Sequence, residues 1–393
     1  APAIRYAEQG YAVSPTVHDR WRAAAGTYGH FDGFRTFFLP GGRAPATGEV
    51  FRSAAMAQTL RRIAESHGED FYRGETARRM LEFLSAGGCE FGEADFAEHR
   101  SEWDDPVGTD FGDTRLYEMP PNCQGIAALA ALRILEHAGV DRYPVDSVDS
   151  VHLQIESMKA AFRLLHGQVT DPGWMRTSVS ELLDESRLRS IAAEIDMARA
   201  SGPGTPRRGD GGTVYLAAAD AGGMMVSLIQ SNFWGFGSGI VDPETGVSFQ
   251  NRAAGFSLDP ADANCVDGGK RPFHTIIPGF VMRDGAPLMS FGVMGGHMQA
   301  QGHVQMMVRI FCHGQNPQAA ADAPRWCLDE EYGLALEPGF DPALRRGLAE
   351  RGHRLVEASG VATFGGAQLV YRLPNGCYAA ASDHRKDGHA AGC

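Results

Sequence analysis

The stretch Gly211-Gly212-Thr213-Val-Tyr-Leu-Ala-Ala-Ala219 marks the point at which the chain changes character. The twelve residues 201–212 before the strand contain five Gly and two Pro, a composition typical of a linker. After the linker, residues 213–219 and 224–230 each predict a strand. Asp220-Ala-Gly-Gly223 between them predicts a turn, so the two strands are expected to form a hairpin.

Upstream of this point the chain is predicted to be mostly helical. Apolar residues recur there at helical spacing, which predicts helices over 51–66, 75–85, 123–138, 146–165 and 177–198. Thr177 or Ser178 is expected to cap the last of them.

Downstream of the linker, strands dominate. Residues 275–282 and 288–294 predict a second hairpin, Gly295-Gly296 ends it, and 297–313 predict a helix. Residues 366–372 and 378–381 predict a last hairpin around Pro374-Asn-Gly376. Helices followed by antiparallel strands indicate an α+β fold rather than a doubly wound parallel sheet.

Composition excludes several classes of function. The 393 residues carry 36 Lys plus Arg against 48 Asp plus Glu, a net charge of −12, which argues against nucleic acid or an anionic membrane as a partner. There is no run of 18 apolar residues and no secretory signal at the front, so the expected location is the cytoplasm, or the periplasm if a signal was removed. Seven scattered Cys without a C-x-x-C pair predict free thiols.

Motifs for cofactors and metals are absent or weak. Gly235-Phe-Gly-Ser-Gly239 matches a dinucleotide fingerprint only loosely, because Ile240 stands where the pattern needs Gly. His297 with His303, and His384 with His389, fit one helical face poorly, and we expect no metal. The last pair is expected to lie in a surface tail.

Thr213 is the residue whose surroundings indicate chemistry. A Thr that opens a strand is ordinarily there because β-branched residues favour strands. Here the preceding Gly211-Gly212 would let the Thr213 hydroxyl reach the carbonyl before it, and a cut there would free an α-amine of pKa about 7.7–8.0. Such an amine can act as general base for its own hydroxyl.

Two further features fit this chemistry, although each has an ordinary structural explanation. Ser231 follows the strand predicted to pair with that of Thr213 and can hold the nucleophile oxygen, or it is simply an edge-strand Ser. Gly295-Gly296 can present two backbone N–H groups to an oxyanion at a helix N-terminus, or it is a plain turn.

The order of several segments resembles the γ-glutamyltranspeptidase family. In the second half these are Thr213-Val-Tyr-Leu-Ala-Ala-Ala-Asp220, Val226-Ser-Leu-Ile-Gln-Ser-Asn232, Phe236-Gly-Ser-Gly-Ile240, Gly269-Lys-Arg-Pro272, Gly292-Val-Met-Gly-Gly296, Ala323-Pro-Arg325 and Ala381-Ser-Asp383. In the first half they are Pro120-Pro-Asn-Cys-Gln-Gly-Ile126 and Glu156-Ser-Met-Lys-Ala-Ala-Phe162.

The resemblance implies an N-terminal nucleophile hydrolase with an αββα sandwich that cuts itself between Gly212 and Thr213. Residues 1–212 would be the large subunit and 213–393 the small one, together forming one domain as a heterodimer, and a higher homo-oligomer is also compatible. Thr213 would be the nucleophile, Ser231 its assisting hydroxyl, and Gly295 and Gly296 the oxyanion hole. The implied partner is a small-molecule amide, and the implied reaction needs no cofactor.

The substrate pocket departs from the family pattern. Gly255 replaces the acid that binds the glutamyl α-amine, and Arg252 replaces an amide or acid beside it. Phe233 occupies the position of an Asn in the family, and His274 and Thr275 occupy the positions of two Ser that hold the α-carboxylate. We therefore predict an amide whose acyl group lacks a free α-amine, such as a glutaryl amide, a dicarboxylate monoamide or oxamate. Its distal carboxylate would meet Arg252, His274 or Arg271, although Arg271 is as readily explained by structural pairing.

Two alternatives remain open. One is true γ-glutamyl transfer, and the other is an unprocessed, non-catalytic homologue that keeps the fold. The family's large subunit normally has a longer front that includes a Gly-rich segment and a substrate-binding Arg, and Pro2-Ala-Ile-Arg-Tyr-Ala-Glu-Gln-Gly10 resembles mid-subunit sequence. We therefore expect the chain to lack that front, which bears on its activity.

Overall fold

A computed structural model describes residues 2–202 and 212–392. The linker residues 203–211, including Gly211, and Cys393 lie outside the described residues. The α-helices are α1 Pro2–Gln9, α2 Pro15–Tyr28, α3 Asp32–Phe38, α4 Ala54–Glu65, α5 Glu69–Arg73, α6 Glu75–Ala86, α7 Glu93–Ala97, α8 Gly125–Ala138, α9 Val148–Leu165, α10 Val179–Leu182, α11 Glu185–Ala193, α12 Met298–Met307, α13 Pro317–Asp322 and α14 Pro342–Glu350. The strands are β1 Tyr11–Ala12, β2 Val50–Phe51, β3 Val107–Phe111, β4 Thr114–Glu118, β5 Gly212–Ala219, β6 Met225–Phe233, β7 Gly279–Arg283, β8 Ala286–Met294, β9 Trp326–Leu328, β10 Leu334–Leu336, β11 Gly366–Arg372 and β12 Tyr378–Ser382.

Four of the five helices predicted upstream are present, and the fifth is wrong as a single element. α10 and α11 are separate short helices, and residues 194–198 at the end of the predicted segment are not helical. Ser178 caps α10 through a capping box with Glu181, as one of the two expected caps. The Asp184 carboxylate then accepts from the Arg187 N–H and starts a new helix, which interrupts the predicted run.

One antiparallel sheet forms the centre of the larger part of the chain. Its strand order is β12-β11-β8-β7-β4-β3, so both predicted downstream hairpins are present in it. The sequence prediction missed the β3–β4 hairpin. It also started β7 too early, because Thr275 and Ile277 bond to the side chains of Gln124 and Gln299 instead of entering the sheet.

The β5–β6 hairpin packs on this sheet as a second β layer. An atom added at Cβ of Gly292 would lie 2.3 Å from the Tyr215 ring, so β5 lies directly over β8 at this point. On the next residue, Val293, the side chain faces Gly302 of α12. Because neighbouring side chains of a strand point to opposite faces, the hairpin and α12 cover opposite faces of the sheet.

Contacts divide the chain into two units, each of which combines sequence from both sides of Gly212. Residues 1–103 and 235–251 form one unit, whose core is a cluster of aromatic rings around Trp21, Phe34 and Phe236. Residues 104–234 and 252–393 form the other, which contains the sheet and the hairpin. The division into subunits at Gly212 is a prediction about covalent cutting and remains one.

The six cysteines among the described residues are free. No helix among the described residues has the length and apolarity needed to span a bilayer.

Candidate active site

Thr213 and Ser231 lie opposite each other in the β5–β6 hairpin. The Thr213 hydroxyl donates to Ser231 Oγ at 3.2 Å, and the Ser231 hydroxyl donates to the carbonyl oxygen of Gly212 at 2.8 Å. The N–H of Phe233 also donates to Ser231 Oγ, at 2.9 Å. A hydroxyl offers one donor and two acceptor positions, so these three bonds use the full capacity of Ser231. The predicted nucleophile and the carbonyl before it are thereby held by one side chain.

The hairpin is irregular at this position. The register shifts between Gly212 and Thr213, so that Gly212 pairs with Phe233 and the intervening Asn232 is the extra residue of a bulge. Phe233 has φ 77°, a left-handed conformation that a bulky side chain rarely adopts, and its ring is buried. Strained backbone of this kind concentrates at functional sites.

The Arg252 guanidinium lies over the ring of Phe233. It is 4.5 Å from the centre of the Phe233 ring and donates to Thr275 Oγ1 at 2.8 Å. Arg252 and Thr275 are both buried. Burial lowers the pKa of Arg252 to about 10, so the side chain still carries its charge at neutral pH.

His274 and Arg271 differ from Arg252 in charge and in pairing. Burial, together with the charge of Arg252, lowers the pKa of His274 to about 3, so its ring is neutral at neutral pH. The Arg271 side chain donates to the Asp171 carboxylate at 3.3 Å, and its backbone N–H donates to the same oxygen at 2.9 Å. The structure therefore favours structural pairing for Arg271 over a role in binding the substrate carboxylate.

A cavity of about 220 Å³ opens beside these residues. Its walls include Phe233, Gly255, Thr275 and His297, all sites singled out in the sequence. A Cβ added at Gly255 would lie 3.5 Å from the Phe273 carbonyl oxygen, an ordinary van der Waals contact, so a side chain would fit at the position of the missing acid. Asp262 also lines the cavity, and its carboxylate accepts from the Asn264 N–H.

Gly295 and Gly296 lie between β8 and α12, as predicted, with φ of 128° and 60°. A Cβ on Gly295 would come within 3.2 Å of the Gly365 backbone, so the strand-to-helix turn requires glycine there. Gln124, which is buried, donates to the carbonyls of both Gly296 and Thr275, at 2.8 Å and 2.6 Å.

Gln124 is a residue that sequence reasoning did not assign. Its only signal was its place in the Pro120–Ile126 segment. Gln124 links Gly296 to Thr275, and Thr275 accepts a hydrogen bond from Arg252. The Arg252 guanidinium lies on the Phe233 ring, and the Phe233 N–H donates to Ser231. These contacts thus connect six predicted site residues: Gly296, Thr275, Arg252, Phe233, Ser231 and Thr213.

Comparison with known proteins decides the family. A sequence model of the Gamma-glutamyltranspeptidase family matches residues 1–393. The chain belongs to this family. Its membership confirms the resemblance and the prediction of an enzyme of the γ-glutamyltransferase type.

Three individual proteins can be aligned with the whole length of this chain. The oxamate amidohydrolase proenzyme of Klebsiella pneumoniae is 35% identical over 398 residues, covering 100% of this chain and 75% of its own. The Glutathione hydrolase-like YwrD proenzyme of Bacillus subtilis is 33% identical with the same coverage. A crystal structure of cephalosporin acylase from Bacillus halodurans is 44% identical with a TM-score of 0.93, covering 100% of this chain and 73% of that one. This likeness confirms the α+β, N-terminal nucleophile hydrolase fold.

One group among the described residues has the composition of a metal site. The ligand atoms of His152, Glu156 and His353 lie within 4.8 Å of one another, and all three residues are buried. A cation already occupies the group, because Lys159 Nζ donates to Glu156 Oε1 at 2.9 Å and lies 3.4 Å from His353 Nδ1. His353 Nε2 is 2.8 Å from His152 Nδ1, and His152 Nε2 is 2.9 Å from the Asp196 carbonyl. These hydrogen bonds account for the polar atoms of the group with both rings neutral.

The two histidine pairs weighed in the sequence are engaged elsewhere. His303 is buried and bonds to Glu118 at 2.5 Å, while His297 stacks on Phe273. His384 is exposed beside Asp322, and His389 is also exposed.

Proposed function

We propose that this family member is a self-processing amidohydrolase or acyltransferase with Thr213 as its nucleophile. The hydrogen bonds of Ser231 to Thr213 Oγ1 and to the Gly212 carbonyl support the proposal, since they hold attacking and attacked groups side by side. In self-cleavage, the Thr213 oxygen attacks the Gly212 carbonyl carbon, the C–N bond breaks, and the nitrogen takes the proton. Water then hydrolyses the resulting ester, which leaves a carboxylate on Gly212 and a free amine on Thr213.

The relatives that bear the word proenzyme in their names support such processing. The product would be a heterodimer of residues 1–212 and 213–393. The hairpin register and the packing of Tyr215 over Gly292 would keep the new N-terminus on the sheet after the cut.

Catalysis would then follow the same path with an external amide. The Thr213 amine takes the hydroxyl proton, the oxygen attacks the substrate carbonyl, and the N–H groups of Gly295 and Gly296 stabilise the oxyanion. A single such donor typically contributes about 2.7–4 kcal/mol to the transition state. The amine product leaves, and water or another amine releases the acyl group. Thr213, Gly295 and Gly296 thus supply the nucleophile, the base and the oxyanion donors for both acylation and deacylation.

The acyl group that we propose ends in a carboxylate and has no α-amine. The observation that carries this is the charge of Arg252, which lies directly behind the cavity wall formed by Phe233 and Thr275. Arg252 polarises the Thr275 hydroxyl toward an anion, whereas neutral His274 and paired Arg271 contribute less. Gly255 has no side chain, so it cannot supply the acid that an ammonium group would need at that position. Relatives named oxamate amidohydrolase and cephalosporin acylase are consistent with this class.

True γ-glutamyl transfer is the second candidate, because Asp262 also lines the cavity and a carboxylate there can meet an ammonium group. Relatives named glutathione hydrolase favour it as well.

The test compares a glutaryl anilide with the γ-glutamyl anilide of the same amine, and adds oxamate as a small third substrate. We expect kcat/KM to favour the glutaryl compound by about tenfold or more, since a charge-assisted bond contributes about 1.5–3 kcal/mol. A preference for the γ-glutamyl compound that Asp262→Asn abolishes would establish the second candidate instead.

A further inference from the structure

Gln124 connects the glycine turn to the wall of the acyl cavity. Its side-chain nitrogen Nε2 donates to the Gly296 carbonyl at 2.8 Å and to the Thr275 carbonyl at 2.6 Å. The cavity of about 220 Å³ is lined by Thr275, by Phe233 of the β5–β6 hairpin and by His297, which follows the glycine pair. An amide nitrogen has two N–H donors, and here both are used. Gln124 therefore sets the position of the turn relative to the cavity.

Gln124 is itself held by the backbone beside it. Its own N–H donates to the His274 carbonyl at 2.9 Å, and the His274 N–H donates to the Asn122 carbonyl at 2.8 Å. The Asn122 side chain adds a bond to the Pro272 carbonyl at 2.6 Å. Because Gln124 is also buried, its amide has a fixed position, which it can pass on to the groups that it bonds.

The glycine pair needs an anchor of this kind. Gly295 and Gly296 have φ of 128° and 60°, and a residue without a side chain adopts or leaves such conformations at little cost. Helix α12 supplies one constraint, because the Gln299 N–H donates to the Gly296 carbonyl at 3.2 Å. Gln124 supplies a second one at 2.8 Å. Together the two bonds set the direction of the peptide groups in the turn.

The two proposed reactions of Thr213 place their oxyanions at different donors. In self-cleavage the oxyanion forms on the Gly212 carbonyl, which accepts from the Ser231 hydroxyl at 2.8 Å. In amide hydrolysis it forms on the substrate carbonyl, at the N–H groups of the glycine pair. The side chain of Gln124 bonds to Gly296, which belongs to the second set of donors.

We infer that Gln124 is a positioning residue for amide hydrolysis, and that self-cleavage does not need it. The inference rests on the proposed function and adds to it a residue that acts through the turn, without contact with the substrate. When the Thr213 oxygen bonds to the acyl carbon, an electron pair of the carbonyl moves to its oxygen, and Gln124 keeps the two glycine N–H groups directed at that charge. The pair returns as the C–N bond breaks, and the nitrogen leaves with the hydroxyl proton.

The first test replaces Gln124 by Met, which has a similar length and removes both donors. We expect Gln124→Met to cut itself at nearly the wild-type rate, measured as loss of the full-length band. Its kcat for a glutaryl anilide should fall by about 10- to 100-fold, because misdirected donors stabilise the oxyanion less, while KM changes by less than about threefold. Gln305→Met is the matched control and should keep its kcat, since buried Gln305 donates to the carbonyls of Gln301 and Trp326 instead.

The second test measures affinity for a mimic of the tetrahedral intermediate. A boronic acid in which B(OH)2 replaces one carboxyl group of glutarate forms a tetrahedral adduct when the Thr213 oxygen bonds to boron, whereas glutarate itself binds without such a bond. Gln124→Met should weaken binding of the boronic acid by about the same factor as kcat/KM, and binding of glutarate by less than about threefold. Equal losses for the two ligands would overturn the inference.

A second variant guards against a loss of folding. Gln124→Glu keeps the shape of the side chain and replaces the donating nitrogen by oxygen, so it should show the same difference between self-cleavage and hydrolysis. If both Gln124 variants fail to fold in urea unfolding measurements, the residue serves stability and the inference is wrong.

The two proposals fail in different ways. If the folded wild-type chain neither cuts itself nor hydrolyses the anilide, the proposed function is wrong. If a folded, cut Gln124 variant hydrolyses the anilide at the wild-type rate, or if both of its rates fall by the same factor, the acyl-enzyme chemistry stands and only the role of Gln124 is wrong.

Discussion

At the scale of single residues, Ser231 connects two chemical events. Its hydroxyl donates to the Gly212 carbonyl and accepts from Thr213, so it can polarise the bond to be cut and also orient the attacking oxygen. The sequence suggested only the second role, because the Gly212 contact depends on the bulge at Asn232.

Replacement of Ser231 by Ala is predicted to slow self-cleavage by about 100-fold, which is the loss typical for one oxyanion donor. The measurement is the rate at which the full-length band disappears. Ser231→Thr keeps the hydroxyl and should retain most of the rate. Ser248→Ala removes a hydroxyl outside the hairpin, where it donates to the Phe236 carbonyl, and is the matched control. Cutting at the wild-type rate in Ser231→Ala would contradict the role.

Arg252 and Arg271 offer a matched pair of substitutions. Arg252→Gln is predicted to lower kcat/KM for a glutaryl anilide by about tenfold, because Thr275 loses its charged donor and the wall loses the positive charge behind it. Arg271→Gln should change it little, because its partner is Asp171 on the protein. If the two variants behave alike, Arg252 does not recognise the acyl group.

Much of this site was predictable from the sequence, for a local reason. A tight turn fixes a hairpin's register, so residues 213 and 231 had to come close. The family motifs also placed the glycine pair. The choice among Arg252, His274 and Arg271 was not predictable, because it depends on burial and on a partner, Asp171, that lies 100 residues away in sequence. Gln124 was missed for the same reason.

At the scale of elements, the hairpin depends on the sheet beneath it. Glycine at position 292 lets the Tyr215 ring approach the β8 backbone, and the Tyr215 hydroxyl lies 2.8 Å from Ser227 Oγ on the partner strand. The nucleophile strand is therefore located by packing as well as by its own pairing.

Gly292→Ala is predicted to lower the free energy of unfolding by about 1–3 kcal/mol and to slow self-cleavage, because the new methyl group overlaps the Tyr215 ring. Urea unfolding and the cleavage rate measure the two effects. Tyr215→Leu in the same chain should recover part of the loss, with a coupling of about 0.5–3 kcal/mol. Purely additive losses would contradict direct packing.

Element prediction succeeded where the periodicity was long and failed where it was short. α9 has 18 residues with a continuous apolar stripe, and its predicted start differs by two residues. β3 and β4 have five residues each, and the alternation is hidden because polar residues, Thr109, Thr114 and Glu118, occupy buried positions in them. α10 and α11 look like one helix until the Asp184 cap is seen.

At the scale of the whole molecule, the far end of the chain is anchored by buried charges. Asp383 bonds to Arg325 at 2.7 Å and to Arg385 at 3.1 Å, and Arg385 bonds to Glu337 at 2.6 Å. All four residues are buried. The expected surface tail is thus correct for its two histidines, whereas Asp383 and Arg385 beside them belong to the interior.

Asp383→Asn is predicted to lower the free energy of unfolding by about 3–5 kcal/mol, because Arg325 would stay buried without its counter-charge. The exposed Asp105→Asn is the control, and urea unfolding at pH 7 is the measurement. A loss no larger than that of the control would contradict the role of the network.

The pair of Asp383 and Arg325 also makes the free energy of unfolding depend on pH. Burial alone would raise the pKa of Asp383, but the charge of Arg325 and the Ala367 N–H outweigh it and lower that pKa. The stabilisation is therefore complete above the ordinary pKa of 3.8 and is lost as pH falls toward the lowered one. The difference between wild type and Asp383→Asn should shrink below about pH 3.8.

The central claim is that Thr213 is freed by self-cleavage and then acts as the nucleophile. Intact mass measurement of the purified chain tests it most directly. We predict two fragments, of 212 and 181 residues, with an N-terminal Thr on the smaller one, and a Thr213→Ala chain that stays at 393 residues and is inactive. A wild-type chain that stays whole on long incubation while hydrolysing amides, or a Thr213→Ala chain that is still cut after Gly212, would contradict it.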